Sequence, residues 1–534
     1  MRSPASLNRW LGLVVISLGV ALIVMDATIV NVIVPSVIGD LGVDSAQMQW
    51  IQESYAIVFA ALLLVAGRLA DIVGARLIFL TGVVVFGATS VLAGLTQSGD
   101  LLVLARFLQG AGAAMILPTS LSLLNASFTG KERGQAFAVW GSTIGAGAAL
   151  GPLLGGWLAE HASWRWAFGV NVPLSVLICV GVLLWIAPSP RAGGRLSATD
   201  AVLSVLGLGL LAFGLIEGRV YGWFITVHPL NLFGFSWDSG PSPVLAALAL
   251  AAFALTLLVR RQAVISRGSD PAGALMDVRL FSVGSFRNGN IVTLIIGLGE
   301  FGVIAVLPLW LQFTLGYSAL EAGLALVPLA VGSFFASGAG FALTDRISAL
   351  GQVRLGVALE VAGLVWLGLI ATTATPWWSI TLALFVYGVG VGFATAQVTS
   401  VTLADVPEAD IGQGSGIQSA FRELGAALGI AVLTTVFFTS LGSETHDRLT
   451  AQGVAGDRAE SFSRTVTDSA GAAIAPLADR PETAPVADAA RSAMADSVAV
   501  SGYTAAGFVL VGLVATALIP ARPEEKAARP AAVV

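Results

Sequence analysis

The sequence predicts an all-α polytopic membrane protein: two six-helix bundles with two inserted helices between them, about fourteen spans in all. Three observations carry this. Hydrophobic residues fill 56% of the 534 positions and charged residues only 11%, far less charge than a soluble domain carries. Apolar runs of roughly 20 residues, the length a helix needs to cross a bilayer, recur along the chain. Short matching segments return at an offset near 275 residues, so the first six runs and the last six read as parallel copies.

Arg2 and Arg9 precede the first run, Leu11 to about Pro35, which is longer than a signal-peptide core and contains Asp26 and Asn31. It reads as an uncleaved span. Runs near 47–66, 77–97, 101–124, 135–159 and 166–187 complete the first six, separated by short polar connections. Two shorter runs lie near 200–216 and 243–260, followed by a third group near 290–313, 320–342, 354–373, 378–403, 414–440 and 502–520. The expected domains are therefore residues 1–190, an inserted pair and linker at 191–285, and 286–534 with a long outer loop at 441–501 and a cytoplasmic tail. That loop is rich in Ala, Ser and Asp and is expected to be flexible or partly helical, with partner docking left open. In the preceding outer loop, Tyr221, Trp223, Phe224, Phe233, Phe235 and Trp237 are expected to form an interfacial aromatic belt.

Charge placement supports the span count. With the N-terminus inside, 18 of the 27 basic residues fall on the cytoplasmic side, and the short outer loops hold only Arg165 and Arg219. An even number of spans and both termini in the cytoplasm follow. The repeat itself is visible in GAALG, which occurs at Gly147 to Gly151 and again at Gly425 to Gly429. Asp71 in LADIVGAR has a counterpart in Asp345, and Asp26, nine residues before Pro35, has one in Glu300, eight before Pro308. Repeats of this kind place a binding site near the midplane, where the halves meet.

Several functions are disfavoured. A net charge of −5 argues against nucleic-acid binding. Cys179 stands alone, and His161, His228 and His446 are too scattered to ligate a metal. Gly130-Lys131 is followed by Glu132 where a phosphate-binding loop needs Ser or Thr.

The segment Gly141 to Gly156, GSTIGAGAALGPLLGG, is a helix built largely of small residues. Gly147, Gly151 and Gly155 recur at i, i+4 and i+8, so one face carries no side chains; Gly141 and Gly145 extend it. Pro152 removes a backbone donor and adds a kink. Such a face must be covered by another helix. Ordinary close packing is one reading, and a seam on which two halves slide is the other, favoured by glycine, proline and the apolar flanks together.

GRLADIVGAR at Gly67 to Arg76 resembles the signature loop between spans 2 and 3 of the major facilitator superfamily, with Gly67, Asp71, Gly74 and Arg76 in place. Ile72 and Ala75 stand where members often carry basic residues. LVLARFLQGAGAA at Leu102 to Ala114 resembles the span 4 motif, and the glycine segment resembles the span 5 antiporter motif through Gly147, Gly151, Pro152, Gly155 and Gly156. DATIVNVIVP from Asp26 and WRWAFGVNVP from Trp164 are similar to segments of fourteen-span drug:proton antiporters. The resemblance implies a major facilitator fold, multidrug efflux powered by the proton gradient without a cofactor, and a gating role for Asp71 and Arg76 in holding the halves together.

Ionisable groups inside a bilayer are functional candidates by default. Asp26, Glu300 and Arg106 are the proposed proton-coupling set, with Asp26 and Glu300 both expected to face a central cavity. Burial favours the protonated acid and a nearby Arg106 the ionised one, so exchange requires the arginine to approach in only one conformation. Glu53, Glu360, Asn31 and Gln397 are secondary candidates. Arg422 and Glu423 are adjacent and so do not face each other on a helix. The expected function is a proton-coupled exporter of lipophilic, often cationic, small molecules in the cell membrane, with protons, substrates and lipid as its partners. A dedicated exporter of one metabolite or lipid is a same-fold alternative, and a non-transporting sensor or scaffold an alternative of another class.

Overall fold

Each long apolar run becomes one helix, except the sixth, which is split in two, and the polar connections supply several of the caps. The computed structural model describes residues 4–520 apart from 44, 190, 192–193, 233–234, 269–272, 344–345 and 408–409. In the first bundle α1 (Pro4–Leu41), α2 (Ser45–Val73), α3 (Ala75–Leu95), α4 (Gly99–Ser127) and α5 (Gly130–His161) precede a short α6 (Arg165–Gly169), which joins α7 (Asn171–Trp185) as the sixth span. The inserted spans α8 (Ala198–Tyr221) and α9 (Pro243–Arg267) flank an antiparallel hairpin of β1 (Leu230–Leu232) and β2 (Phe235–Trp237). The second bundle contains α10 (Gly284–Phe313), α11 (Ala319–Leu343), α12 (Ala349–Ile370), α13 (Trp377–Thr402) and α14 (Ile411–Ala451). Two short helices, α15 (Gly456–Asp468) and α16 (Ile474–Ala478), then lead to α17 (Ala484–Ala515). Among the described residues, 14 helical segments are long and apolar enough to cross a membrane.

Local chemistry sets the helix starts. Ser98, Ser197, Ser242 and Ser348 each accept a backbone N–H from the first turn of α4, α8, α9 and α12. Between α2 and α3 the chain reverses at Gly74, whose φ of 105° is open to glycine and strained for other residues. The large apolar side chains that remain exposed, such as Leu183, Leu184, Phe253 and Val264, lie on single faces of α7 and α9, as lipid contact requires.

Each bundle has its own apolar core, one around Phe79, Phe86, Phe137 and Trp140, the other around Trp310, Tyr387, Phe437 and Met494. The bundles meet where α5 packs against α11 and α13, and where α14 packs against α2 and α4. At the arginine-rich end, the first core continues without a break into Leu280 of the linker and Phe286, Leu403, Val406 and Ile411 of the second half, so the halves are joined there.

Of the two states expected for 441–501, flexible or partly helical, the segment takes the helical one. It is mostly helix: α14 runs 41 residues, about 60 Å at 1.5 Å per residue, and so extends well beyond the hydrocarbon thickness. Small residues on α15 and α17 permit close packing around Leu449, Ala459, Val486 and Ala489. Ser463 donates to the Gly442 carbonyl at 2.7 Å, and Arg448 pairs with Asp496, tying α14 to both partners. The sequence lacks strong hydrophobic periodicity there because alanine and serine bury well while scoring as weakly apolar. The aromatic loop also divides: Phe224 is exposed, whereas Tyr221 is buried and stacks on Phe213, which stacks in turn on Trp50. Phe233 lies outside the described residues, and nothing is described of the Phe235 side chain.

Candidate functional site

Two polar clusters sit inside the bundles, one in each half. In the first, Asp26 of α1 is fully buried and accepts from Arg106 Nη1 at 2.5 Å, Asn171 Nδ2 at 2.6 Å and Gln109 Nε2 at 3.2 Å. Ser90 of α3 accepts from both Gln109 and Asn171, so four helices contribute. Arg106 also donates through Nε to the Ile51 carbonyl, and its guanidinium lies 4.4 Å from the centre of the Tyr55 ring. The carboxylate thus has three donors, one of them a cation. The sequence suggested that Asp26 opens onto a central cavity; instead it is enclosed within its own bundle, where Arg106, about two turns along α4, reaches it directly.

The second cluster is less complete. Glu300 of α10 lines a narrow cleft with Thr293, Gly297, Thr395, Thr399, Gln418 and Arg422. Glu300 and Arg422 form no ion pair within 4.0 Å, and Arg422 Nη1 is buried without a hydrogen-bond partner. Gln418 donates to Thr399 at 3.1 Å. Glu360 of α12 is fully buried within the field of Glu300, and neither of its carboxyl oxygens has a partner. Between the clusters, Tyr55 lies within the fields of both Arg106 and Glu423, and Glu423 within that of Arg422. Charged and polar groups thus extend from Asp26 across the α2–α14 contact to Glu360.

The secondary candidates are scattered. Glu53 of α2 is hydrogen-bonded to Glu217 of α8, a fully buried acid that lies just past the run drawn at 200–216 and was missed for that reason. Gln397 is buried on α13. Asn31 lies on α1, and its side chain is outside what the structure describes. Asn171 and Ser90 were also missed as partners of Asp26; Asn171 stood in the WRWAFGVNVP segment, and Ser90 left no signal.

The loop after α2 joins the halves through one of its two predicted residues. Asp71 accepts from the Gly412 and Gln413 amides at 2.8 and 2.9 Å, at the N-terminus of α14. Gly67 packs on Gly412 and Gly416, where any side chain would collide with backbone. The Gln413 side chain accepts from the Asp277 amide at 2.9 Å, bringing the linker into the same joint. Arg76 does not reach the second half; its guanidinium donates to the Val182 and Leu183 carbonyls at the end of α7. Asp345 lies outside the described residues.

The glycine helix also divides. Gly147 and Gly151 press against Ala21, Met25 and Thr28 of α1, inside the first bundle, so the i, i+4 row is not the surface between halves that the sequence suggested. Gly155 and Gly156 are buried, and the Pro152 side chain is not described. Gly141 and Gly145 instead face Ala396 of α13 and Ser333 of α11. The cause is angular: positions 141 and 145 fall on a different side of the helix from 147 and 151, so one face packs at home and the other meets the opposite bundle.

Comparison with known proteins agrees with this architecture. Residues 16–430 match the model of the Major Facilitator Superfamily. The chain is 34% identical over 454 residues to the probable actinorhodin transporter of Streptomyces coelicolor, covering 83% of this chain and 74% of that one. It is 34% identical over 424 residues to the cephamycin export protein CmcT of Amycolatopsis lactamdurans, covering 78% and 82%. The human organic anion transporter MFSD10 has the same fold, with a TM-score of 0.61 at 14% identity, over 96% of this chain and 100% of that one. This multi-pass membrane protein belongs to the Major Facilitator Superfamily.

Proposed function

We propose that the protein exports antibiotic-like, lipophilic small molecules across the cell membrane in exchange for protons, both termini lying in the cytoplasm. The observation that carries this reading is the run of charged and polar groups, all buried except the half-buried Glu423, from Asp26 and Arg106 through Tyr55 and Glu423 to Arg422, Glu300 and Glu360, which crosses the contact between halves. Such groups are costly in a membrane interior, and for that reason mark a functional pathway by default. Alternating access follows when the joint at Asp71 opens while the far ends of the bundles close. No bound cofactor is part of the mechanism; a proton gradient supplies the energy, and the partners are protons, substrates and lipid.

A second reading, export of one dedicated product, is favoured by the relatives named for single antibiotics. Energised everted vesicles test both readings with ethidium, tetraphenylphosphonium and an aromatic polyketide antibiotic. Uptake of several of these, lost when nigericin collapses the pH gradient, supports the broad exporter. Uptake of the polyketide alone supports the narrow one. Uptake that ignores the gradient overturns proton coupling.

A further inference from the structure

The two halves hold their buried acids differently. Asp26 has a cation and two amide donors on its carboxylate, so a proton added there must displace an existing hydrogen bond or ion pair. Glu360 has nothing comparable. It is 0% exposed, and both Oε1 and Oε2 are without a partner. The Tyr387 hydroxyl on α13 is already committed to the Glu300 carbonyl at 3.1 Å. Gly390 closes the site from the same helix: a Cβ there would meet the Glu360 amide nitrogen at 2.5 Å and Cγ at 2.8 Å. On its own helix, the nearest cation is Arg354, held by Thr516 at the arginine-rich end. On α17, the titratable Tyr503 packs against Gly368, two turns away from Glu360. Glu300 on α10 is the one charged group whose field reaches it among the described residues.

An ionised carboxylate sealed in this way has neither solvent nor counter-charge, whereas the neutral acid fits. On that geometry, and resting on the proton-coupled reading above, we infer that the proton of the transport cycle is held in the second bundle, on Glu360, with Glu300 as its outlet to the cleft. The transfer takes place in a conformation that opens Glu360 to the cleft: there the O–H bond at Glu360 breaks, an O–H bond forms on the Glu300 carboxylate, and the negative charge moves to a Glu360 that solvent now reaches. Arg422 lines the cleft with Nη1 unpaired, so its approach to Glu300 favours ionisation and releases the proton. Asp26 is the partner of Arg106 and takes no part in this transfer.

Infrared spectroscopy of the full-length protein in detergent at neutral pH tests this without a ligand. The difference spectrum of wild type minus E360Q is expected to contain the carbonyl stretch of a protonated carboxylic acid. E360D, which keeps the acid, retains a protonated band at shifted frequency and serves if the glutamine variant does not fold. Carboxylate stretches in the E360Q difference overturn the inference and leave proton coupling of the transporter standing. In everted vesicles, loss of gradient-driven ethidium uptake by E360Q supports the inference. A protonated Glu360 in a protein whose uptake ignores the gradient overturns the proton-coupled reading itself, and the cycle role with it.

Discussion

Removing the carboxylate of Asp71 should open the arginine-rich end of the molecule. Asp71 is 8% exposed and accepts two backbone amides at 2.8 and 2.9 Å across the interface between halves. Hydrogen bonds to a charged group contribute about 1.5–3 kcal/mol each. Losing both in Asp71→Ala therefore weakens the joined state by about 3–6 kcal/mol, and at about 1.4 kcal/mol per factor of ten the population ratio shifts roughly a hundredfold or more. Asp71→Asn keeps an acceptor but no charge and should fall between. Gly412→Ala should act in the same direction, because its new methyl group would occupy the position of the Asp71 carboxylate. The assay is pulsed electron–electron distance measurement between spin labels at Arg191 and Arg346, both exposed, in a background where Cys179 is serine. The distance distribution should gain a longer population in Asp71→Ala and Gly412→Ala. An unchanged distribution in both would refute the idea that this contact holds the ends together.

Other substitutions separate structural roles from transport roles. Arg106→Met leaves Asp26 buried without its counter-charge and should cost about 3–5 kcal/mol, read as a lower melting temperature in detergent. Gly151→Leu, driven into Met25 and Thr28 of its own bundle, should lose about 1–3 kcal/mol by overpacking. Gly145→Val meets Ser333 of the opposite half instead, and should slow transport in vesicles with little change in melting temperature. At the far end of α1, beyond its apolar part, the Arg165 guanidinium and the Trp164 indole hold the Asp40 carboxyl below its ordinary value of 3.8. The associated stability is present above that value and lost as pH falls through the lowered one, so melting temperature should decline less steeply below pH 3.8 in Asp40→Asn.

The span count was legible because membrane crossing imposes one length on every apolar run, and the repeat because Asp26 and Glu300 recur before a proline. What the sequence could not give was rotation about each helix axis. Asp26 and Arg106 stand out in the sequence as charges inside apolar runs, yet their mutual contact depends on α1 and α4 presenting the right faces at one depth. The same uncertainty assigned Gly147 and Gly151 to the wrong neighbour. Arg76 illustrates a different gap: a charged residue in a loop shared by both halves has several carbonyls within reach, and the end of α7 is nearer. The partners of Asp71 are backbone amides, which no side-chain pattern marks. In 441–501, helices built from alanine and serine pack by fitting closely, so they carry little of the apolar signal by which the other spans were found.

Proton movement driven by substrate tests the central claim most directly. Everted vesicles containing the protein are energised until their interior is acidic, and a pH-sensitive dye follows the gradient as ethidium or the polyketide antibiotic is added. The account predicts that substrate releases protons from wild-type vesicles, and that Glu300→Gln and Glu360→Gln abolish the release. Continued substrate accumulation with no accompanying proton efflux in the wild type would contradict it.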